Sequence, residues 1–561
     1  MIRRIWLIFT LISLLYLGIF FRLFYWQILR AQELKVKALS QYAEKVVLQP
    51  SRGIITASDG SPLVLNQSSY LVYAEPHRIE DKVGFSRQIA LVLRDIPETK
   101  ILESISLPER RWVAIQRKIS DSKKKELEKL KLKGLGFQAS TMRLYPEASM
   151  AAHLLGFVGQ DLAGNDTGYF GLEGYYNREL SGKAGFLLEE RDGKGAPLLI
   201  GEGEKVEPEN GRTLVLWLDR SIQFIIEKRL LEGLKTYGAM AGTVIVMDPK
   251  TGGILGMASF PNYDPFLYAS FDEGLYKNPA VASSYEPGST FKPLIIAAAM
   301  NEKRIDAHTT YNETGPVRIG EYTIRTWDDK YRNTMTMTDV LKYSSNVGMV
   351  FVSRQLGKSD LLKYIKAYGF GEKTNIDLEE ELSPSLRPSA TWKEIDCATA
   401  SFGQGIAVTP LQLIRAMAAL ANEGRLMQPR VVKEFRDSSG KVVVVKPREI
   451  GQVVSKDTAI LLKEMMVSSV KYGEAKWAAP KGYRIAGKTG TAQIPVAGHY
   501  DKDKTIASFV GYAPADNPVF VMLVILHEPK TSQWGSETAA PLFFQIAKDL
   551  FSYLGIPPTN N

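Results

Sequence analysis

The chain has 561 residues, 45% of them hydrophobic and 23% charged, a globular profile too long for one core, so two to four structural units are expected. A formal charge of +9 is modest for this length, and without a polybasic arm or an RNA-binding signature it argues against nucleic acid as a partner. The single cysteine, Cys397, precludes an internal disulfide or a thiolate metal site, and the five scattered histidines (His77, His153, His308, His499, His527) lack metal-ligand spacing.

The first feature along the chain is IWLIFTLISLLYLGIFF (Ile5 to Phe21), continued after Arg22 by LFYWQIL. Together these reach the roughly 20 residues needed to cross a bilayer. Arg3 and Arg4 precede the run, so the positive-inside rule keeps residues 1–4 in the cytoplasm and sends everything after residue 28 outside. No A-x-A-like cleavage site follows and the run is long for a signal peptide, so residues 5–28 are read as an uncleaved anchor, with Trp6, Tyr25 and Trp26 near its interfaces.

Ala31 to Lys45 is polar and helix-prone, a stalk. From Val46 short strands and turns take over, and Asp59-Gly60 between alternating apolar runs marks a hairpin. SDSKKKELEKLKLKG (120–134) is read as the solvated face of a helix. A Gly-rich section follows, then strand-like LLEERDGKG and a linker, IGEGEKVEPENGRT (200–213). A second domain begins near Thr213: a short strand (TLVLWLD), a helix (SIQFIIEKRLLEGLKTYG), and a hairpin (AGTVIVMD-PKTGG-ILGMAS). Near the other end IAGKTGTAQI, TIASFVGYA and PVFVMLVILHE read as strands, with PADNP turning between the last two, and APLFFQIAKDLFSYL as a closing helix. Strands from both ends of one segment around a mostly helical middle predict an α+β domain, an antiparallel sheet packed on helices. Cys397, among apolar and small residues of that middle, is expected to be buried filler.

Three short patterns in this domain carry chemistry. In YEPGSTFKPL, Pro287-Gly288 turn the chain into the buried helix LIIAAAM, leaving Ser289 at a helix N-terminus, where negative charge is favoured, and Lys292 on the same face. A lysine desolvated there loses pKa and becomes a possible general base for the hydroxyl. Taken alone, the pair reads as a helix cap. Ser344-Ser345-Asn346 lies about fifty residues on, before another apolar helix, and offers a hydroxyl to relay a proton and a carboxamide to bind an amide; it too reads alone as a cap. Lys488-Thr489-Gly490-Thr491 places a small residue between hydroxyls on a strand along which a ligand backbone can pair, with a lysine to hold a carboxylate. GYRIAGKT also matches a phosphate loop formally, but a strand rather than a helix follows it.

S-x-x-K, S-x-N and K-T-G in that order resemble the set of the serine penicillin-recognising enzymes. Nearly the whole chain is similar to a class B penicillin-binding protein, a monofunctional peptidoglycan D,D-transpeptidase: anchor (5–28), elongated non-catalytic pedestal of the dimerisation type (29–212), then a penicillin-binding, serine β-lactamase-like transpeptidase domain (213–561). SRGIITASDGSPLV resembles the family's RG-x-I-x-D-R-x-G-x-x-LA box, except that Ala57-Ser58 replace the Asp-Arg. MRLYPEASMAAHLLGFVG also resembles a family segment, as does GYFGLEGYYNRELSGKAG through Gly171, Glu173 and Tyr176. FGQGIAVTPLQL and SFVGYAPADNP are more similar to the cell-division branch than to the elongation branch.

The resemblance implies that Ser289 attacks the penultimate D-Ala carbonyl of a stem peptide, with Lys292 as base, Ser344 as proton relay and Asn346 orienting the acyl-side amide. Lys488, with the Thr489 and Thr491 hydroxyls beside Gly490, would bind the terminal carboxylate. The backbone N–H groups of Ser289 and Thr491 would form the oxyanion hole, where each donor is worth on the order of 100- to 1000-fold in rate. β-Lactams would acylate Ser289 as mimics, and no metal or organic cofactor is implied. Ser345 stands where class A β-lactamases have Asp, with no deacylating Glu loop, and EDKVGF has the wrong spacing for a glycosyltransferase E-D-x-x-F motif. Implied partners are a polytopic membrane glycosyltransferase and other divisome or elongation proteins, at the bacterial inner membrane. Two alternatives stay open: a protein that mainly activates that glycosyltransferase, and a β-lactam sensor.

Overall fold

The structure, a computed structural model, describes residues 1–34, 37, 43–107, 110–162, 164–190, 205–496 and 499–558. The N-terminal run forms helix α1 (Ile2–Phe24), prolonged by a wider π turn over Tyr25–Leu29. Its 28 residues make the one helix, among the described residues, long and apolar enough to cross a membrane. No side chain of α1 is buried by protein, as a lipid-facing helix requires.

The chain divides into two units, residues 1–52 with 181–211, and residues 53–180 with 212–561. In the first, Ala43–Leu48, Gly185–Glu190 and Lys205–Val206 form an antiparallel three-stranded sheet. Two expectations are corrected here. Of the described residues of the stalk, 31–34 and 37 are helical, while Ala43–Lys45 belong to a strand because the β-branched Val46 and Val47 beside them pair with Leu187 and Phe186; the stretches 35–36 and 38–42 lie outside the described residues. The linker is also not free chain: Lys205–Val206 pair back on Phe186 and Leu187, and Glu209 bridges Lys183, while 191–204 lie outside the described residues.

The second unit begins with a mixed sheet of β1 (Ile55–Thr56), β2 (Pro62–Ala74), β3 (Val113–Ile119), β4 (Leu135–Leu144) and β5 (Thr213–Leu216), extended by Val432–Arg436 and Val442–Val444. The predicted hairpin at Asp59-Gly60 joins β1 to β2; Asp59 accepts from the Ser61 amide (2.9 Å) and hydroxyl (2.7 Å), and these bonds hold its carboxyl below the usual range. Ala57, where the family box has Asp, is fully buried, and Ser58 donates its amide to Leu218 (2.9 Å), so the box keeps its turn without that charge. The strand that opens the expected second domain, β5, runs parallel to β1 (Leu214 opposite Ile55), so sheet pairing crosses that boundary. The lysine-rich segment forms a helix, Asp121–Lys129, that buries only Leu127.

A five-stranded antiparallel sheet follows, built from both ends of the remaining segment: β6 (Ala241–Met247), β7 (Ile254–Phe260), β8 (Ala486–Val496), β9 (His499–Ala513) and β10 (Phe520–His527), in the order β7-β6-β10-β9-β8. Alternation along β6 sends Val244 and Val246 to one face and Ile245 and Met247 to the other. The first face packs on α2 (Arg220–Tyr237) and the closing helix, Ala539–Tyr553. The second packs on the helical middle, whose axis is α3 (Lys292–Asn301), buried at every position from Lys292 to Met300. A helix apolar all round belongs inside a core, and α3 is one between its terminal residues, Lys292 and Asn301. Cys397 lies buried in the same core, as expected of filler.

Two buried polar contacts brace this part of the molecule, one within the pedestal and one from the pedestal to the segment beyond residue 213. Glu173 accepts from Arg143 Nε (2.8 Å) and Nη2 (2.6 Å), with 0% and 6% of the two residues exposed. Tyr176 donates its hydroxyl to Asp377 (3.0 Å), whose carboxylate also accepts from the Val431 and Val432 amides (2.7 and 2.8 Å). Removing one partner of a buried pair strands the other charge, so Glu173→Gln should lower stability by about 3 kcal/mol. Urea unfolding checks this, and Arg143→Met combined with Glu173→Gln should recover part of the loss.

Candidate active site

The nucleophile candidate sits one turn earlier than an α-helix start. Gly288–Phe291 form a 3-10 turn that hands over to α3 at Lys292, with Pro293 in the first helical positions where its missing N–H costs little. Gly288 has φ +57°, the left-handed region. Thr290 closes the turn by donating its hydroxyl to Pro287 O (2.6 Å), and the Gly288 amide donates to Gly403 O (3.0 Å). A Cβ on Gly403 (φ +79°) would lie 2.2 Å from Gly288 O, so the FGQG loop fits this turn only with glycine there.

Lys292 is fully buried, and the Ser-x-x-Lys pair meets through a third residue. Lys292 Nζ donates to Ser344 O (2.6 Å), Ser344 Oγ (3.2 Å) and Asn346 Oδ1 (2.9 Å). Ser344 Oγ in turn donates to Ser289 Oγ (3.0 Å). The contacts form a hydrogen-bonded chain from amine to hydroxyl to hydroxyl. Burial, reinforced by the nearby Lys488 charge and opposed by Glu474 and Glu313, holds the Lys292 pKa well below the ordinary lysine value.

Ser344 reaches both neighbours from a strained backbone, φ +57° on a non-glycine residue. Ser345 beside it caps α4 (Asn346–Ala367), accepting from the Gly348 amide (2.9 Å). The Ser345 hydroxyl donates to Glu313, which also accepts from Tyr311 OH (2.6 Å). Glu313 is fully buried, and neither its place nor its contact with the second motif had a signal in the sequence. Its position on a short strand, Thr310–Glu313, is set by pairing with Asn333–Thr336.

The third motif lies on β8, where Lys488, Thr489, Gly490 and Thr491 stand opposite Val510, Phe509, Ser508 and Ala507 of β9. This is a strand throughout, so the GKT is no phosphate loop. Lys488 is 2% exposed; its Nζ donates to Thr489 Oγ1 (2.9 Å) and Thr489 O (3.1 Å), and burial pulls its pKa down against the charge of Glu474. At Gly490 a Cβ would meet Ser508 Oγ at 2.5 Å and Thr290 Cγ2 at 2.7 Å. The close approach that this glycine permits is therefore that of the nucleophile turn. Thr491 Oγ1 accepts from the Gly535 amide (3.0 Å), and a Cβ on Gly288 would lie 3.0 Å from Thr491 O, so the turn that carries Ser289 lies against Thr491.

An open cleft of about 530 Å³ is lined by Ser289, Ser344, Asn346, Thr489 and Thr491, while Lys292 and Lys488 are buried behind it. Four further lining side chains had no motif to reveal them: Trp327 and Trp534, whose rings meet edge-on at 5.1 Å, Glu474 and Ser536. Phe402 and Gln404 of the FGQG loop complete the wall. The geometry offers a hydroxyl nucleophile, a desolvated amine joined to it by a relay hydroxyl, and hydroxyl donors on a strand, the parts of an acyl-transfer site.

A family model for the penicillin-binding protein transpeptidase domain matches residues 242–548, and one for the penicillin-binding protein dimerisation domain matches residues 47–216. Stage V sporulation protein D of Bacillus subtilis is 35% identical over 547 residues, which cover 96% of this chain and 84% of that protein. Peptidoglycan D,D-transpeptidase FtsI of Escherichia coli is 30% identical over 518 residues, covering 91% and 84%. Among solved structures, penicillin binding protein 2X from Streptococcus thermophilus superposes with a TM-score of 0.74 at 26% identity, covering 91% of this chain and 80% of that one.

Since a displacement of about 1 Å at a reacting group costs on the order of 100-fold, Gly403→Ala should slow acylation by a fluorescent penicillin by about that factor. Gly451→Ala, with nothing within 4 Å of the added Cβ, should leave the rate unchanged.

Proposed function

The chain belongs to the class B penicillin-binding proteins, and on that premise we propose that it is a peptidoglycan D,D-transpeptidase in which Ser289 is the residue acylated by the stem peptide and by β-lactams. The observation that carries this reading is the hydrogen-bonded chain from the buried Lys292 through Ser344 to Ser289 at the cleft, with hydrogen bonds of 3.2 and 3.0 Å. Lys292, its proton affinity lowered by desolvation, takes the Ser289 proton by way of Ser344 as Oγ attacks the carbonyl of the penultimate D-Ala. The backbone N–H groups of Ser289 and Thr491 stabilise the oxyanion. Collapse breaks the peptide bond, the relayed proton goes to the departing D-Ala amine, and the acyl group stays on Ser289. An amine of a neighbouring strand then attacks that ester, restores the Ser289 hydroxyl and forms the cross-link. Asn346 orients the acyl-side amide, and Lys488, Thr489 and Thr491, beside the small Gly490, hold the terminal carboxylate. The acylation chemistry itself needs only a carbonyl, a nucleophile and a base.

In the same reading residues 1–4 are cytoplasmic, 5–28 cross the bacterial inner membrane once, and the pedestal (29–212) and catalytic domain (213–561) work outside it. The FGQG loop and the SFVGYAPADNP strand and turn support a place in the cell-division branch. A polytopic membrane glycosyltransferase that makes the glycan strands is the partner such an enzyme requires.

A fluorescent penicillin should label the wild type and fail to label Ser289→Ala; equal labelling of the two would overturn the assignment. Acylation requires the neutral amine of Lys292, so its rate should fall as pH drops through the depressed Lys292 pKa, with a midpoint well below the 10.5 of an ordinary lysine. Lys292→Arg, which stays charged at every accessible pH, should abolish acylation across the whole profile.

A further inference from the structure

Glu474 lies just after the helix Lys456–Tyr472 and lines the cleft beside the third motif. Its Oε2 accepts the Thr489 hydroxyl proton at 3.1 Å. Thr489 Oγ1 already accepts from Lys488 Nζ at 2.9 Å, so the bonds run from ammonium to hydroxyl to carboxylate. A hydroxyl has a single proton to give, and that of Thr489 is committed to Glu474. The second oxygen, Oε1, is buried and has no hydrogen-bond partner among the described residues. Thr491 differs: its Oγ1 accepts from the Gly535 amide, which leaves its proton to donate into the cleft.

We propose that Glu474 is a specificity-determining residue that occupies the anion subsite of Lys488 and Thr489 with an internal carboxylate, so that an anionic ligand must break the Thr489–Glu474 bond and seat its charge beside a like charge. This rests on the acyl-transfer reading of the site. The free enzyme gains a counter-ion for the buried Lys488, whose charged form Glu474 favours. The ligand's carboxylate is then taken first by Thr491, and reaches Thr489 only as the Glu474 bond is released. Two carboxylates close together in a desolvated cleft repel each other strongly, so the effect falls on carboxylate-bearing ligands and spares neutral ones.

The full-length protein is assayed for second-order acylation by benzylpenicillin and by its uncharged methyl ester, as wild type, E474Q and E474T. E474Q keeps an oxygen for the Thr489 hydroxyl and removes only the charge. If it does not fold, E474T reads the same charge difference. Removing the charge should speed acylation by the carboxylate form about tenfold or more and change the ester rate by less than about threefold. Equal changes for the two ligands, or a slower reaction with the carboxylate form, overturn the proposal. A wild type that takes no penicillin, or a Ser289→Ala variant that takes it equally well, overturns the acyl-transfer reading and this inference with it.

Discussion

A lysine nitrogen removed from water must find hydrogen-bond acceptors or give up its proton, and the catalytic domain is arranged around one that does both. Lys292 is the first residue of α3, a helix otherwise lined with Leu, Ile and Ala and enclosed by the core. Its amine can be satisfied only by groups arriving from elsewhere in the chain, and these are Ser344 O, Ser344 Oγ and Asn346 Oδ1. The three acceptors fix where α4 begins and force Ser344 into the left-handed region. Ser345 and the buried Glu313 beneath it hold that corner in place, since an unpaired carboxylate there would cost far more than a strained φ. The same desolvation depresses the lysine pKa toward that of a usable base.

The other half of the site depends on how closely backbones approach. Gly490 lets β8 lie against Thr290, Gly403 lets the FGQG loop lie against Gly288, and Gly535 packs a Cα against Gly490 O, where a Cβ would come within 2.2 Å. These contacts place one strand, one 3-10 turn and two loops around a single hydroxyl. Rigid supports of this kind hold a nucleophile near its productive geometry without needing contacts to the ligand. The pedestal joins the core through the Tyr176–Asp377 bond and is braced from within by the Arg143–Glu173 pair; Arg143, Glu173 and Tyr176 all lie in the segments that resemble the family outside the catalytic domain.

Much of this was legible in local sequence. Asp59-Gly60 turned where a two-residue hairpin signal says it should, the three apolar runs near the end formed β8, β9 and β10, and LIIAAAM became a buried helix. Each of those signals is written in residues close together, so periodicity and turn chemistry suffice. Ala43–Lys45 and Lys205–Val206 were misread, as stalk and as linker, because polar stretches became strands only by pairing with Gly185–Glu190. Glu313, Glu474, Trp327 and Trp534 were silent for the same reason: each reaches the site from a different loop or short strand, and no spacing along the chain records the meeting.

The sequence by itself determined the long apolar N-terminal helix, the α+β order of elements and the candidate pair Ser289 and Lys292, because hydropathy, alternation and the order of the three short motifs can be read along the chain. Only the tertiary structure decided that Lys292 meets Ser289 through Ser344, that Gly490 faces the nucleophile turn, and that Thr489 gives its proton to Glu474. Those outcomes depend on distances between segments from 15 to about two hundred residues apart, which are set when the core closes around α3 and expels water from its one charged side chain.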